Sequence, residues 1–94
     1  MSDVLTDAQV AAALADLPGW AGNCASIHRA VEFPTFPAAI DGVVAVGEAA
    51  EELNHHPDMD IRWRTVTFTL STHSAGGVTA LDIDLARRID EITR

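Results

Sequence analysis

Apolar residues recur along the chain at two spacings, and each spacing predicts a different kind of element. Helical spacing, with apolar residues three or four apart, marks three segments: 6–17, 35–53 and 79–92. Extended segments, most of them alternating, precede the second and third helices: a short piece from Trp20, then 26–33 and 61–73. The first helix is expected to end at Leu17, because Pro18-Gly19 follows it.

Local signals support these helix starts and divide the last extended segment. Thr6 with Gln9, and Thr79 with Asp82, have the spacing of capping boxes, and Thr35 is a plausible N-cap for the second helix. In the segment 61–73 the apolar positions change from odd to even numbers near Arg64. That change predicts a bulge, a bend or two short strands there.

The predicted order is helix, strand, strand, helix, strand, strand, helix, within a single domain spanning residues 1–94. This order predicts a two-layer α+β fold, in which helices pack on one face of a four-stranded antiparallel sheet. The second helix is apolar nearly all round from Val43 to Ala50. A chain of this length can hardly cover such a helix on every side, so we expect a homo-oligomer.

Composition narrows the possible functions. The net charge of −8 argues against binding to nucleic acid or to anionic membrane, both of which need clustered cations. All six basic residues are arginine, so lysine Schiff-base chemistry is excluded. The lone Cys24 rules out an internal disulfide and fits a reducing compartment. With no secretory or membrane-spanning pattern, a cytoplasmic protein is expected.

Histidine is the main candidate for chemistry. His55 and His56 stand where the second helix runs into Pro57, which cannot continue a helix, so both rings should project from its C-terminal end. His73 ends the last strand-like segment, on its polar face. Glu51 precedes His55 by four residues, close enough on one helical face for its carboxylate to reach that ring.

Three interpretations of these residues compete. The histidines could fill polar sites and cap a helix end without further function. His55, His73 and Glu51 could bind a metal, but adjacent histidines diverge and no His-Glu-x-x-His is present, so no metal is expected. The interpretation we favour is metal-free acid/base catalysis, since the imidazole pKa of about 6.5 suits proton transfer near neutral pH.

The same residues carry a resemblance to a known family. Glu51-x3-His55-His56-Pro57 is followed by Trp63, His73 and Asp82, and Leu17-Pro18-Gly19-Trp20 stands near the start. This pattern resembles the signature of the pterin-4a-carbinolamine dehydratases and covers nearly the whole chain. Asn54 departs from it, because an acidic residue is frequent at that position in the family.

The resemblance implies a cofactor-free lyase that converts 4a-hydroxytetrahydrobiopterin to quinonoid dihydrobiopterin and water, in tetrahydrobiopterin recycling. It implies a homodimer or homotetramer, and acid/base roles for His55 and His73. His56 would bind and orient the pterin, while Glu51 would hold the His55 ring or bind the pterin edge. The alternative function is a protein-interaction module of the same fold.

Three further residues complete the expected site. By the same resemblance Pro57 and Trp63 contact the pterin, Trp63 as an apolar wall, although a plain core role fits Trp63 equally well. Asp82 is expected either to take part in the site or only to cap the last helix, since the Thr79-x-x-Asp82 capping box would explain it without catalysis.

Overall fold

The computed structural model describes residues 3–94, which fold as three helices and four strands. The elements, in chain order, are α1 (Asp7–Leu14), β1 (Ala21–Gly22), β2 (Ile27–Glu32), α2 (Phe36–Leu53), β3 (Asp58–Arg62), β4 (Thr65–Leu70) and α3 (Ala80–Thr93). The strands form one antiparallel sheet in the order β1-β2-β4-β3, with the helices on one face. The predicted fold class and element order are confirmed.

Capping side chains begin all three helices, as predicted. Thr6 and Thr79 form complete capping boxes with Gln9 and Asp82, and the Thr35 side chain accepts a hydrogen bond from the Ala38 backbone. The predicted end of α1 at Leu17 is wrong. After Leu14 the backbone changes to tighter bonds between residues three apart, so the chain turns before it reaches Pro18.

Sheet register decides which side chains enter the core. Val66, Phe68 and Leu70 on β4 are buried, and the partners of Val66 and Leu70 on β2, Val31 and Ile27, are buried with them. The helices close this layer with small and branched residues, which lie in the core beside the sheet: Ala39 and Val46 of α2, and Ile83, Leu85, Ala86 and Ile89 of α3. The core therefore sets α2 and α3 firmly over the sheet.

The change of parity near Arg64 is a hairpin turn. Arg62 of β3 pairs with Thr65 of β4, and Trp63 and Arg64 form the turn between them. The expectation of two short strands is confirmed, although β3 begins at Asp58 rather than Ile61. At the other end of this hairpin Asp58 pairs with Thr69, so β3 starts directly beyond Pro57.

Trp20 is buried, and its indole N–H donates to Asp90 Oδ1 at 2.8 Å, as expected of a core anchor.

Within the part of the chain that the structure describes, no helix is long and apolar enough to cross a membrane.

Candidate active site

The end of α2 places His55 inside the protein. Asn54 adopts the left-handed conformation (φ 49°, ψ 43°), which asparagine tolerates better than most residues, and this ends the helix. The backbone N–H of His55 then donates to Ala50 O at 3.0 Å. The chain turns at this cap, so the His55 ring points toward α3, where its Nε2 lies 2.5 Å from Asp82 Oδ1.

Asp82 is the centre of a buried polar network. Its side chain is 0% exposed, and its Oδ2 accepts hydrogen bonds from the Thr79 backbone N–H at 2.9 Å and from the Thr72 hydroxyl at 2.8 Å. The Thr72 and Thr79 hydroxyl oxygens are 2.8 Å apart. Because Thr72 gives its proton to Asp82, Thr79 must donate to Thr72. With His55, three donors surround the carboxylate.

This network fixes the tautomer of His55. A carboxylate can only accept hydrogen bonds, so Nε2 of His55 must carry the proton that it shares with Asp82. In the neutral ring Nδ1 is then unprotonated and acts as an acceptor. None of the hydrogen bonds made by residues 3–94 involves Nδ1.

Asp82 makes contacts of both kinds that the sequence left as alternatives. It completes the capping box of α3 through Oδ2 and holds the catalytic candidate His55 through Oδ1.

Glu51 was expected to reach His55, and that expectation is wrong: its carboxylate pairs with Nε2 of His56 instead. The i to i+4 spacing fails because His55 lies beyond the helix end, where the left-handed Asn54 redirects the chain.

The pair of His56 and Glu51 lies at the surface next to the buried pair. Both side chains are largely exposed; Glu51 lies in the last turn of α2, and His56 lies in the segment that leads from α2 to β3. Pro57, half-buried, separates His56 from the first residue of β3. An exposed histidine with a carboxylate partner can bind the polar edge of a ligand that approaches His55.

His73 lies in a turn next to the buried network. The turn is closed by backbone bonding between Thr72 and Gly77, and His73 is its first exposed residue. Its neighbour Thr72 carries the hydroxyl that lies 3.5 Å from His55 Nε2. The structure thus brings His73, His55 and His56 to the same end of the sheet.

Trp63 lies at the opposite end of β3 from these histidines. The full length of β3, from Asp58 to Arg62, separates it from Pro57. Its side chain is 72% exposed, so the expectation of a core aromatic is wrong. Within one chain, Trp63 is not brought to the other predicted site residues.

Two residues of the network were not predicted as site residues. Thr79 was expected only as a helix cap, and no role in the site was predicted for Thr72. The available signal was the two threonines flanking the Ser74-Ala75-Gly76-Gly77 turn, since such a turn brings its two ends together.

In residues 3–94 no group of three or more His, Cys, Asp or Glu side chains is arranged to hold a metal ion.

A cleft of about 520 Å³ lies elsewhere on the molecule. It is lined by residues of the α1–β1 connection, β2 and the second half of α3, among them Leu17, Arg29 and Asp90. Asp90 is eight residues beyond Asp82, or about 12 Å along the helix. This cleft is therefore separate from the histidine site.

The fold and the site together define a class, an α+β protein with a histidine held by a buried carboxylate at one end of its sheet. The sequence model of the family described as pterin 4 alpha carbinolamine dehydratase matches residues 3–92. This chain belongs to that family.

Individual relatives agree with the family assignment. A protein of Nocardia farcinica (strain IFM 10152) is 61% identical over 93 residues, covering 99% of this chain and 98% of its own. One of Mycobacterium bovis (strain BCG / Pasteur 1173P2) is 60% identical over 87 residues, 93% of each chain. Both carry the provisional name pterin-4-alpha-carbinolamine dehydratase.

A solved structure has the same fold. The crystal structure described as a transcriptional coactivator/pterin dehydratase from Brucella melitensis superposes with a TM-score of 0.92 at 35% sequence identity. The match covers 98% of this chain and 100% of that one.

Proposed function

We propose that the protein is a dehydratase that converts 4a-hydroxytetrahydrobiopterin to quinonoid dihydrobiopterin and water, in the recycling of tetrahydrobiopterin. The observation that carries the proposal is the buried pair of His55 and Asp82, which leaves Nδ1 of His55 free to accept a proton. Membership of the family supports the choice of a pterin carbinolamine as substrate.

The reaction needs two proton transfers. The bond between C4a and its hydroxyl oxygen breaks, and its electron pair leaves with that oxygen, which must gain a proton to depart as water. A ring N–H loses its proton, and the electron pair of that bond forms the new ring double bond. One positioned acid or base contributes about 10²–10⁴-fold, so two such groups give a large acceleration.

His55 is the group we assign to the ring N–H. Nδ1 takes the proton, and the ring becomes an imidazolium whose Nε2–H remains bonded to Asp82. Because the carboxylate is buried and already oriented by Thr72 and Thr79, it stabilises that positive charge without rearranging. In this role Asp82 is a positioning residue, since it acts through His55.

His73 and His56 take the remaining roles. We assign to His73 the proton that goes to the leaving oxygen, since it lies beside the network on the exposed turn. His56, with Glu51, binds the pterin and orients its hydroxyl. Pro57 contacts the pterin between His56 and the start of β3.

Freshly generated 4a-hydroxytetrahydrobiopterin gives a direct test. Its dehydration is followed by ultraviolet absorbance with and without the protein, and we expect the protein to accelerate the decay in proportion to its concentration. A protein treated with a metal chelator should act equally fast. An unchanged decay rate at micromolar protein would contradict the proposal.

The second candidate function is a protein-interaction module. Two observations favour it: the Brucella melitensis structure is described as a transcriptional coactivator as well as a dehydratase, and α2 exposes Phe36, Ile40 and Val44 along one face. These residues are four apart and form a continuous apolar stripe. The same absorbance assay separates the two candidates, because a module without catalysis leaves the decay rate unchanged.

A further inference from the structure

We infer that Thr72 is a positioning residue that holds the two proton-transferring histidines, His55 and His73, in a fixed relation to each other. The roles of the two histidines rest on the proposed function, whereas the anchoring by Thr72 does not. Three features of Thr72 lead to this inference: its backbone bonds, the bonds of its hydroxyl and its burial.

The backbone of Thr72 closes the turn that carries His73. Its N–H donates to Gly77 O at 2.9 Å, and its carbonyl oxygen accepts from the N–H groups of Ala75 at 3.0 Å and Gly76 at 2.9 Å. Most residues between the two ends of the turn are exposed, so little burial holds the turn in place. The position of His73 therefore depends on how firmly Thr72 is held.

The hydroxyl of Thr72 ties the turn to the buried carboxylate. Thr79 Oγ1 accepts from the Leu81 N–H at 3.3 Å, and its own proton goes to Thr72 Oγ1 at 2.8 Å. Thr72 in turn donates to Asp82 Oδ2 at 2.8 Å. The other oxygen of that carboxylate, Oδ1, accepts from Nε2 of His55. A single hydroxyl thus connects the turn to the group that holds His55.

Thr72 acts from inside the protein. The residue is 6% exposed, and both of its hydroxyl partners, Thr79 and Asp82, are 0% exposed. Hydrogen bonds in such a buried network are electrostatically stronger than in water, so they hold their geometry well. A displacement of about 1 Å between groups that act on one ligand can cost about 10²-fold in rate. Loss of the Thr72 hydroxyl should therefore slow proton transfer more than it weakens binding.

Thr72→Val removes the hydroxyl and keeps the branched shape of the side chain. We expect kcat for the carbinolamine to fall about 10–100-fold. KM should stay near wild type, because the buried side chain is bonded to the network and not to the ligand. Thr72→Ser keeps the hydroxyl and should restore most of kcat. If Thr72→Val does not fold, Thr72→Ala gives the same comparison without a methyl group against the carboxylate.

Thr67→Val is the matched control, since it makes the same chemical change at a partly exposed position of β4. Its kcat and KM should both equal those of the wild-type protein. A Thr72→Val protein with the kcat of Thr67→Val would overturn the inference, and so would a Thr72→Ser protein as slow as Thr72→Val.

Hydrogen exchange of backbone amides tests the anchoring without any substrate. In Thr72→Val the N–H groups of Ala75 and Gly76 should exchange about tenfold faster, as for the loss of one hydrogen bond to a charged group. Ile89→Val, at a fully buried position of α3, lowers overall stability but leaves the turn intact. Exchange in the turn should be unchanged in that variant. An equal rise in both variants, or none in Thr72→Val, would contradict the anchoring.

The inference and the proposed function fail in different ways. If the wild-type protein does not dehydrate the pterin, the proposed function fails, and hydrogen exchange still decides whether Thr72 anchors the turn. If the wild-type protein is active and Thr72→Val leaves both kcat and the exchange of the turn unchanged, the inference fails and the proposed function stands.

Discussion

Replacing His55 with Gln should lower turnover of the carbinolamine about 10²–10⁴-fold while the protein stays folded. Glutamine can donate to Asp82 through its amide, so the buried carboxylate keeps three donors, but it cannot accept a proton as Nδ1 does. Initial rates from ultraviolet absorbance give the loss. His55→Ala is a poorer test, because the short alanine side chain leaves buried Asp82 with one donor fewer. That loss costs about 1–3 kcal/mol of unfolding free energy.

A matched control is available in His28. It lies on β2, away from the other three histidines in sequence, and it is exposed. His28→Gln should therefore retain full activity. A His55→Gln protein as active as His28→Gln would remove His55 from the mechanism.

Replacing Asp82 with Asn should reduce both activity and stability. The amide has one acceptor oxygen for the three donors that now point at the carboxylate, and its NH₂ group faces donors instead of acceptors. We expect turnover to fall about 10²–10⁴-fold, because His55 loses the partner that fixes its tautomer. The unfolding free energy should fall by about 1–3 kcal/mol. Turnover and urea denaturation of the same preparation measure the two effects.

Asp84→Asn is the control for Asp82→Asn. Asp84 lies two residues along the same helix with its side chain exposed, so both quantities should stay near wild type. If Asp82→Asn loses stability but keeps its turnover, Asp82 is a helix cap and nothing more.

Most of the fold could be predicted from short-range patterns. The capping boxes at Thr6 and Thr79 fix two helix starts, and the even-numbered apolar residues of β4 identify its buried face. These signals depend on neighbours within a few residues, so they can be seen in the sequence. The end of α1 could not be predicted as closely, since a helix and a tighter turn differ only in whether each N–H bonds the carbonyl four or three residues back.

The partners within the site depend on contacts that spacing does not reveal. His55 and Asp82 are 27 residues apart and meet only because α2 and α3 pack over the same sheet. Glu51 seemed the closer carboxylate in sequence, but the left-handed Asn54 turned His55 away from it. The histidines could be identified from sequence, whereas their hydrogen-bond partners required the structure.

Trp63 is a second case in which spacing in the sequence does not reveal contacts in the structure. The motif grouped it with the histidines, yet β3 carries it to the far end of the hairpin in its own chain. A sequence does not state whether residues of one motif meet within one chain or between two.

Nitrogen-15 NMR of the His55 imidazole tests the central claim most directly. We expect the neutral ring to carry its proton on Nε2, bonded to Asp82, with Nδ1 showing the shift of an unprotonated nitrogen. The Asp82→Asn protein should lose this preference. A proton found on Nδ1 of the neutral ring in the wild-type protein would contradict the account, because no acceptor would then face the pterin.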